Sequence, residues 1–201
     1  MRITMAVAGL VLSLFASSSF ADETSDFLKK DQWEGITEYW TVDGTTVTGK
    51  SEKPIPFNTF LCSKQEYGDF ELKCKLRLAG GKGNSGIQIR SSVTDPKKHV
   101  VKGPQCDAGE GYWGSLYGEQ FGGMMKEAPK DMINTKLKKD DFNEYHVKVE
   151  GKHVTIIVNG ITAVDQKFDK LPEKGIIAFQ LHGGGPMEVT FKDIEFKELK
   201  K

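Results

Sequence analysis

The sequence has little cysteine, little histidine and no excess of either charge. Its 201 residues include 3 cysteines, which are too few for the disulfide framework of a small secreted scaffold. The 4 histidines are scattered and form no HExxH or CxxC-type zinc motif, although a divalent cation held by loop carboxylates and carbonyls stays open. Because 28 Lys and Arg residues balance 28 Asp and Glu residues, no long-range positive field attracts a phosphate backbone. We therefore predict no nucleic-acid partner.

Several catalytic motifs are also missing. The chain has no GxSxG nucleophile elbow and no strand with the paired carboxylates of an ordinary glycosidase. The GxGxxG string at residues 109–114 lacks the strand and helix of a dinucleotide-binding βαβ unit and is better interpreted as a turn. The sequence therefore gives no motif for a serine hydrolase, a two-carboxylate glycosidase or a dinucleotide-dependent enzyme.

Long apolar runs are absent except at the beginning of the sequence. Arg2 precedes an uncharged stretch at residues 3–15, and Ser19-Phe20-Ala21 has the small-x-small form of a signal-peptidase site. The stretch is too short to span a bilayer with a hydrocarbon core of roughly 30 Å. We predict that residues 1–21 are a signal peptide cleaved after Ala21, and that residues 22–201 form a single domain. That domain is predicted to be periplasmic or secreted, without membrane insertion.

The predicted compartment permits a disulfide, and three cysteines allow at most one intramolecular pair. Cys74 lies among alternating apolar residues and is predicted to be a buried small hydrophobe. Cys62 and Cys106 are then the possible pair.

Alternating hydrophobicity predicts an all-β protein. Residues 70–78 place apolar side chains on one face and charged side chains on the other, which is typical of a strand with one buried face. Asn159-Gly160 joins two apolar runs as a two-residue hairpin turn, and Asp43-Gly44 has the same form. Only residues 24–30 suggest a helix. About ten short strands separated by turns indicate an antiparallel sandwich or barrel. The remaining predicted strands are residues 57–63, 87–91, 145–149, 175–180 and 188–196.

Residues 92–143 break this pattern. They contain glycines, charges and isolated aromatics without sustained alternation. The aromatic content argues against disorder. We predict a long loop-rich insertion folded over one face of the sandwich.

A few polar and aromatic residues stand out by their position. Arg90 ends an apolar strand and needs an anionic or carbonyl partner, which either a ligand or a structural ion pair can supply. His182 ends another apolar strand before a glycine-rich turn, where a satisfied core or turn histidine is the alternative to a catalytic one. Trp40 and Trp113 fit either a sugar-stacking platform or the core.

Four segments together resemble one known family: NSGIQIR, GPQCDAGEGYWGSLYGE, VTIIVNGITAVD and GIIAFQLHGGGPMEVTFKDIEFKEL. They are similar to the DUF1080 family, also called the 3-keto-disaccharide hydrolase domain. The resemblance covers nearly all of residues 22–201. It implies a concanavalin A-like antiparallel β-sandwich, or jelly roll, and an enzyme that cleaves glycosides already oxidised to a ketone at sugar carbon 3. Where many members have a carboxylate before the Q-x-D segment, this chain has Lys102-Gly103-Pro104.

The resemblance also implies site residues. Base catalysis beside a ketone needs a base, an electrophile for the enolate oxygen and an acid at the leaving oxygen. The expected base is His182 or Asp107, Arg90 or a bound cation would stabilise the enolate, and Tyr117 or Glu119 would act on the leaving group. The expected substrate-binding residues are Asn84, Gln105, Trp113 and Gln180. The alternative is a non-catalytic, lectin-like carbohydrate-binding module, which would use Trp113, Asn84 and Gln105 and leave His182 as packing. The sequence indicates no oligomeric state.

Overall fold

The computed structural model describes residues 20–199, which form two antiparallel seven-stranded sheets packed face to face. In spatial order, sheet I contains β1 (Trp33–Glu34), β4 (Thr59–Tyr67), β13 (Gly175–Leu181), β6 (Asn84–Asp95), β7 (Val100–Gly109), β8 (Leu116–Glu119) and β9 (Gly123–Lys126). Sheet II contains β12 (Ile161–Lys167), β11 (His153–Val158), β10 (Asn143–Glu150), β5 (Phe70–Leu78), β14 (Met187–Glu198), β3 (Thr46–Ser51) and β2 (Trp40–Asp43). The all-β sandwich expected from the sequence is confirmed.

The strongest sequence signals correspond to real elements. Strand β5 has the predicted bounds, and its apolar residues are buried while its charged residues are partly exposed. Asn159 and Gly160 have φ values of +48° and +79°, the left-handed conformation that a tight hairpin between β11 and β12 requires. The Asn159 side chain also holds the turn to β10, since its Oδ1 accepts a hydrogen bond from the Glu144 N–H at 2.8 Å.

The main core lies between the two sheets. The ring of Phe179 on β13 contacts that of Phe191 on β14, with centroids 4.6 Å apart, and both side chains are fully buried. One end of the core is closed by helix α1 (Phe20–Phe27), in which Phe27 stacks on Phe196 at 4.0 Å. Helix α1 begins and ends earlier than the predicted helix at residues 24–30, because residues 30–32 form a separate 3₁₀ turn.

The predicted signal peptide lies outside the described residues except for its last two, which begin α1. Within residues 20–199, no helix combines the length and the apolar character needed to cross a bilayer.

Residues 92–143 contain more strand than the sequence predicts. They include the end of β6, strands β7, β8 and β9, and a short helix α2 (Lys130–Asn134). Strand β7 shows no alternation because it is buried on both faces along most of its length. Most of the predicted insertion therefore belongs to sheet I, where it forms the strands at one side of the sheet.

Part of this region does fold over sheet I. The β6–β7 register shifts after Gln88, and Gly103 has φ +151° where a Cβ atom would lie 2.1 Å from the Ser91 hydroxyl. Beyond this bend the hairpin reaches strands that are not its neighbours in the sheet, since the Thr59 hydroxyl donates to the Lys98 carbonyl at 2.8 Å. A second hydrophobic cluster lies beneath the hairpin; it contains Phe60, Cys62, Val101, Ile176 and Ala178.

The possible disulfide between Cys62 and Cys106 is not formed. All three cysteines are free and buried. The strand register puts Cys62 on the outer face of sheet I, whereas Cys106 packs in the core between the sheets. Burial raises the pKa of the Cys62 thiol to about 12, so this thiol stays protonated at neutral pH.

Candidate functional site

A cavity of about 320 Å³ opens on the outer face of sheet I, where β13, β6, β7 and β8 lie side by side. Its lining residues are Asn58, Asn84, Gln105, Asp107, Tyr112, Tyr117, Glu119, Gln180 and His182. The structure therefore brings together seven residues that the sequence proposed from three distant segments. Larger cavities of about 730 and 520 Å³ lie beside α1 and beside β1, but neither is lined by any of these seven.

The floor of this cavity is a directed chain of hydrogen bonds. The Ser91 hydroxyl donates to Gln88 Oε1 at 2.7 Å, and Gln88 Nε2 donates to Gln105 Oε1 at 2.8 Å. Gln105 Nε2 then donates to Asp107 Oδ1 at 2.6 Å and to Gln180 Oε1 at 3.3 Å. In Gln88 and in Gln105 the amide oxygen accepts a hydrogen bond and the amide nitrogen donates one. These hydrogen bonds fix the orientation of both side-chain amides.

Two glycines make room for this floor. A Cβ atom at Gly86 would lie 2.7 Å from Gln105 Cγ, and one at Gly109 would lie 2.7 Å from Asn84 Nδ2. Any larger residue at either position would displace a side chain of the site. The glycine of the NSG string is therefore explained by close packing of side chains across the strands.

Asp107 is the ionisable group most altered by this environment. It is 4% exposed, and burial raises the pKa of its carboxyl from 3.8 to about 7. The charge of Glu119 adds to this rise, while the hydrogen bond from Gln105 opposes it. Its carbonyl is held by the Tyr145 hydroxyl at 2.5 Å and by the Gly114 N–H at 2.9 Å. A carboxyl with a pKa near 7 on a fixed backbone is suited to proton transfer at neutral pH.

His182 lies at the end of β13 with its ring partly exposed to the cavity. Its Nδ1 is 2.6 Å from the Gly183 carbonyl oxygen, which can only accept a hydrogen bond. In the neutral imidazole the proton is therefore on Nδ1, and Nε2 is the nitrogen that can accept another.

Asn58 was not identified from the sequence, because it precedes β4 in a segment without any motif. Its Oδ1 accepts from the Gly183 N–H at 2.9 Å, and its Nδ2 donates to Glu119 Oε1 at 3.3 Å. This residue thus links the turn after His182 to the β8 side of the cavity.

Arg90 does not line this cavity, and its expected contact with substrate is wrong. It has φ +45° at the bend of β6, and its side chain is 1% exposed. The guanidinium donates to Asp69 Oδ1 at 2.7 Å and to the carbonyls of Gly68, Gly151 and Pro172 at 2.7, 2.6 and 2.9 Å. The structural ion pair, which was the alternative, is what the structure contains.

Trp113, which was expected to bind substrate, does not line this cavity either. Its ring packs against the core with its centroid 6.0 Å from that of Tyr145, and the preceding residue, Tyr112, lines the cavity instead. Trp40 is 8% exposed and covers Gly49 so closely that a Cβ atom there would be 2.6 Å from its ring. It is a core residue.

Metal ligands are not clustered in the part of the chain that the structure describes. No group of three or more His, Cys, Asp and Glu side chains in residues 20–199 is arranged to hold an ion.

Comparison with known proteins identifies the family of the chain and supports its fold. The model of the 3-keto-alpha-glucoside-1,2-lyase-like domain family matches residues 21–197. A "putative glycosyl hydrolase" from Parabacteroides distasonis ATCC 8503 superimposes with a TM-score of 0.64 and 20% identity, covering 86% of this chain and 98% of that one. The carbohydrate-binding module CBM66 from Bacillus subtilis gives a TM-score of 0.59 and 15% identity, covering 83% and 96%.

A Bacillus subtilis protein with a galectin-like fold gives a TM-score of 0.56 and 11% identity, covering 87% of this chain and 94% of that one. No curated protein matches the sequence. At these identities the structural similarities show the sandwich fold alone.

Proposed function

We propose a function from the premise that this chain belongs to the 3-keto-alpha-glucoside-1,2-lyase-like domain family, and is therefore carbohydrate-related. The proposal is that it cleaves the glycosidic bond of sugars carrying a ketone at carbon 3. The observation that carries it is the outer-face cavity, where a histidine with a free Nε2 and a carboxyl with a pKa near 7 share an amide-lined floor.

The proposed reaction begins at carbon 2. The ketone makes the C2 hydrogen acidic; a base removes it, and the electron pair moves toward the C3 oxygen as an enolate. The enolate then re-forms the ketone, a C1–C2 double bond forms, and the C1–O bond breaks with its electrons on the leaving oxygen. That oxygen takes a proton and departs as an alcohol. Addition of water across C1–C2 completes net hydrolysis.

Each step has a candidate residue in the cavity. We assign removal of the C2 proton to His182 Nε2, because Nδ1 already donates to the Gly183 carbonyl. Protonated Asp107 is assigned to the enolate oxygen, because burial favours its neutral, donating form. Arg90 was expected to stabilise the enolate, but it is bonded elsewhere. We therefore assign this role to the Asp107 carboxyl and to the amides of Asn84 and Gln180. Tyr117 and Glu119, on β8, are assigned to the leaving oxygen.

This function is tested with a chromogenic 3-keto-glucoside and its unoxidised counterpart. We expect release from the keto sugar only, because only the ketone acidifies the C2 hydrogen. In D₂O, recovered keto sugar or product is expected to carry deuterium at C2. Equal release from both glycosides, or release without C2 exchange, would contradict proton abstraction.

A carbohydrate-binding module is the second candidate, favoured by the structural similarity to CBM66. In that case calorimetry would detect sugar binding while neither chromogenic glycoside releases its aglycone. Substitution of His182 would then leave sugar affinity nearly unchanged, because the residue would only pack against the turn.

Export is also part of the proposal. Because residues 1–21 have the pattern of a signal peptide, we expect the protein isolated from its source cells to begin at Asp22. Intact-mass measurement checks this directly. A mass that still includes residues 1–21 would contradict cleavage.

A further inference from the structure

The cavity on sheet I is unlike on its two sides. Its β13 side presents the polar groups of Asn58, Gln180 and His182. Its opposite side presents the rings of Tyr112 and Tyr117 as well as the Glu119 carboxylate. Among residues 21–199, whose side-chain exposure is described, only three large hydrophobic side chains are exposed: Tyr112 at 45%, Met124 at 37% and Met132 at 57%. Tyr112 lines the cavity, and Met124 pairs with the lining residue Tyr117. Two of the three exposed side chains are therefore close to the cavity.

Tyr112 is held in place by its backbone. Its N–H donates to the Gly109 carbonyl at 2.9 Å, and its carbonyl accepts from the Ser115 N–H at 2.9 Å. The next residue, Trp113, packs on Tyr145 in the core. The phenol ring is therefore exposed on a fixed turn, so a ligand that stacks on it meets little cost of ordering the chain. The Lys130 ammonium lies 5.8 Å from the ring centroid over one face, which leaves the other face for a ligand.

Met124 extends this surface. It pairs with Tyr117 across β8 and β9, so the two side chains point to the same outer face of sheet I. Strand β9 is the last strand of the sheet in the described residues, and the surface is therefore open at this edge. A thioether beside an aromatic ring forms favourable contacts with a flat aromatic ligand.

We infer that Tyr112 and Met124 form a subsite for an aromatic aglycone, which makes aryl 3-keto-glycosides the preferred substrate class. The inference rests on the proposed function for the ketone, but the subsite itself recognises only the aglycone. The sugar ring occupies the amide floor, and the group on carbon 1 extends over Tyr112 toward the β9 edge.

The experiment uses unoxidised glycosides as inert ligands, so that it does not depend on turnover. Dissociation constants for phenyl glucoside and methyl glucoside of the same anomer are measured by calorimetry on the wild type, Tyr112→Ala, Tyr112→Phe and Met124→Ala. Met132→Ala is the matched control, because Met132 is exposed on α2 and is not a lining residue of the cavity.

We expect the wild type to bind phenyl glucoside more tightly than methyl glucoside. Tyr112→Ala is expected to weaken phenyl glucoside binding by about three- to tenfold, the usual value of an aromatic pair, with little change for methyl glucoside. Met124→Ala is expected to weaken phenyl glucoside binding with little change for methyl glucoside, whereas Tyr112→Phe and Met132→Ala should retain the phenyl preference. Equal weakening of both ligands would overturn the subsite, because it would mean that Tyr112 stacks on the sugar.

An unchanged phenyl preference in Tyr112→Ala would overturn it too. The two proposals can fail separately. If the wild type cleaves no 3-keto-glycoside but binds phenyl glucoside more tightly than methyl glucoside, and Tyr112→Ala lacks this preference, the proposed reaction fails and the subsite stands.

Discussion

Replacement of His182 by alanine is expected to lower kcat for a 3-keto-glycoside by about 10²–10⁴-fold, the usual contribution of a positioned general base. Folding should be intact, because the ring is only partly buried at the end of a strand. His153→Ala is the matched control, since His153 contacts Asp165 on the exposed side of sheet II and is not a lining residue. Deuterium exchange at C2 should disappear with turnover. Unchanged kcat would remove His182 from the mechanism.

Asp107 is expected to act in its protonated form, which gives the pH profile a definite sign. Because the pKa of the folded carboxyl is about 7, kcat/KM should fall as the pH rises through about 7. Asp107→Asn keeps a donor and should lack this limb, whereas Asp107→Ala should lose about 10²–10³ in kcat, as for removal of one oxyanion donor. A rising limb near pH 7, together with loss of activity in Asp107→Asn, would instead make Asp107 the base.

The same carboxyl affects stability. Its pKa is raised in the folded state, from 3.8 to about 7, so its protonated form favours folding. The free energy of unfolding of the wild type should therefore decrease relative to Asp107→Asn as the pH rises from about 4 to about 7. The shift corresponds to roughly 4 kcal/mol at most, because each pKa unit equals about 1.4 kcal/mol.

Substitution of Arg90 by methionine is expected to lower the free energy of unfolding by about 3–5 kcal/mol, as is typical when one partner of a buried ion pair is removed. The loss is large because Asp69 would lose the cation it pairs with, and three backbone carbonyls would lose the guanidinium as a donor. Urea denaturation measures it.

Arg77→Met is the matched control for Arg90. The Arg77 guanidinium is 3.6 Å from Glu188, and both side chains are about one-third exposed. Its loss should cost less than about 1 kcal/mol. Folded Arg90→Met at saturating substrate should retain wild-type kcat, since Arg90 is not a lining residue. A large stability loss in Arg77→Met, or none in Arg90→Met, would contradict the assignment.

The sequence predicted strands well where one face meets water. Strand β5 alternates for this reason, and its bounds were predicted correctly. Strand β7 was missed because both of its faces are buried. One face packs in the core, and the other carries side chains that are hydrogen-bonded in the cavity floor or packed in the bend of the hairpin. The residue types in such a strand depend on the contacts that each side chain makes, and they do not alternate between apolar and polar.

Site residues were predictable where orientation follows from strand register. Gln105, Asp107 and Gln180 lie on regular strands and share one face. Arg90 was misassigned because a bulge turns its side chain away, and a bulge has no simple sequence pattern. Tyr112 and Trp113 are adjacent on a turn, and only the turn geometry decides which ring points outward. Asn58 reaches the cavity through the path of the chain between sheets, which no local pattern records.

The bent part of the β6–β7 hairpin packs on sheet I next to Thr59, the residue that follows the lining residue Asn58. Its far half rests on a small cluster of its own, apart from the core between the sheets. Insertions or deletions at its tip, near residues 95–99, could therefore alter what fits over sheet I while both layers of the sandwich stay intact.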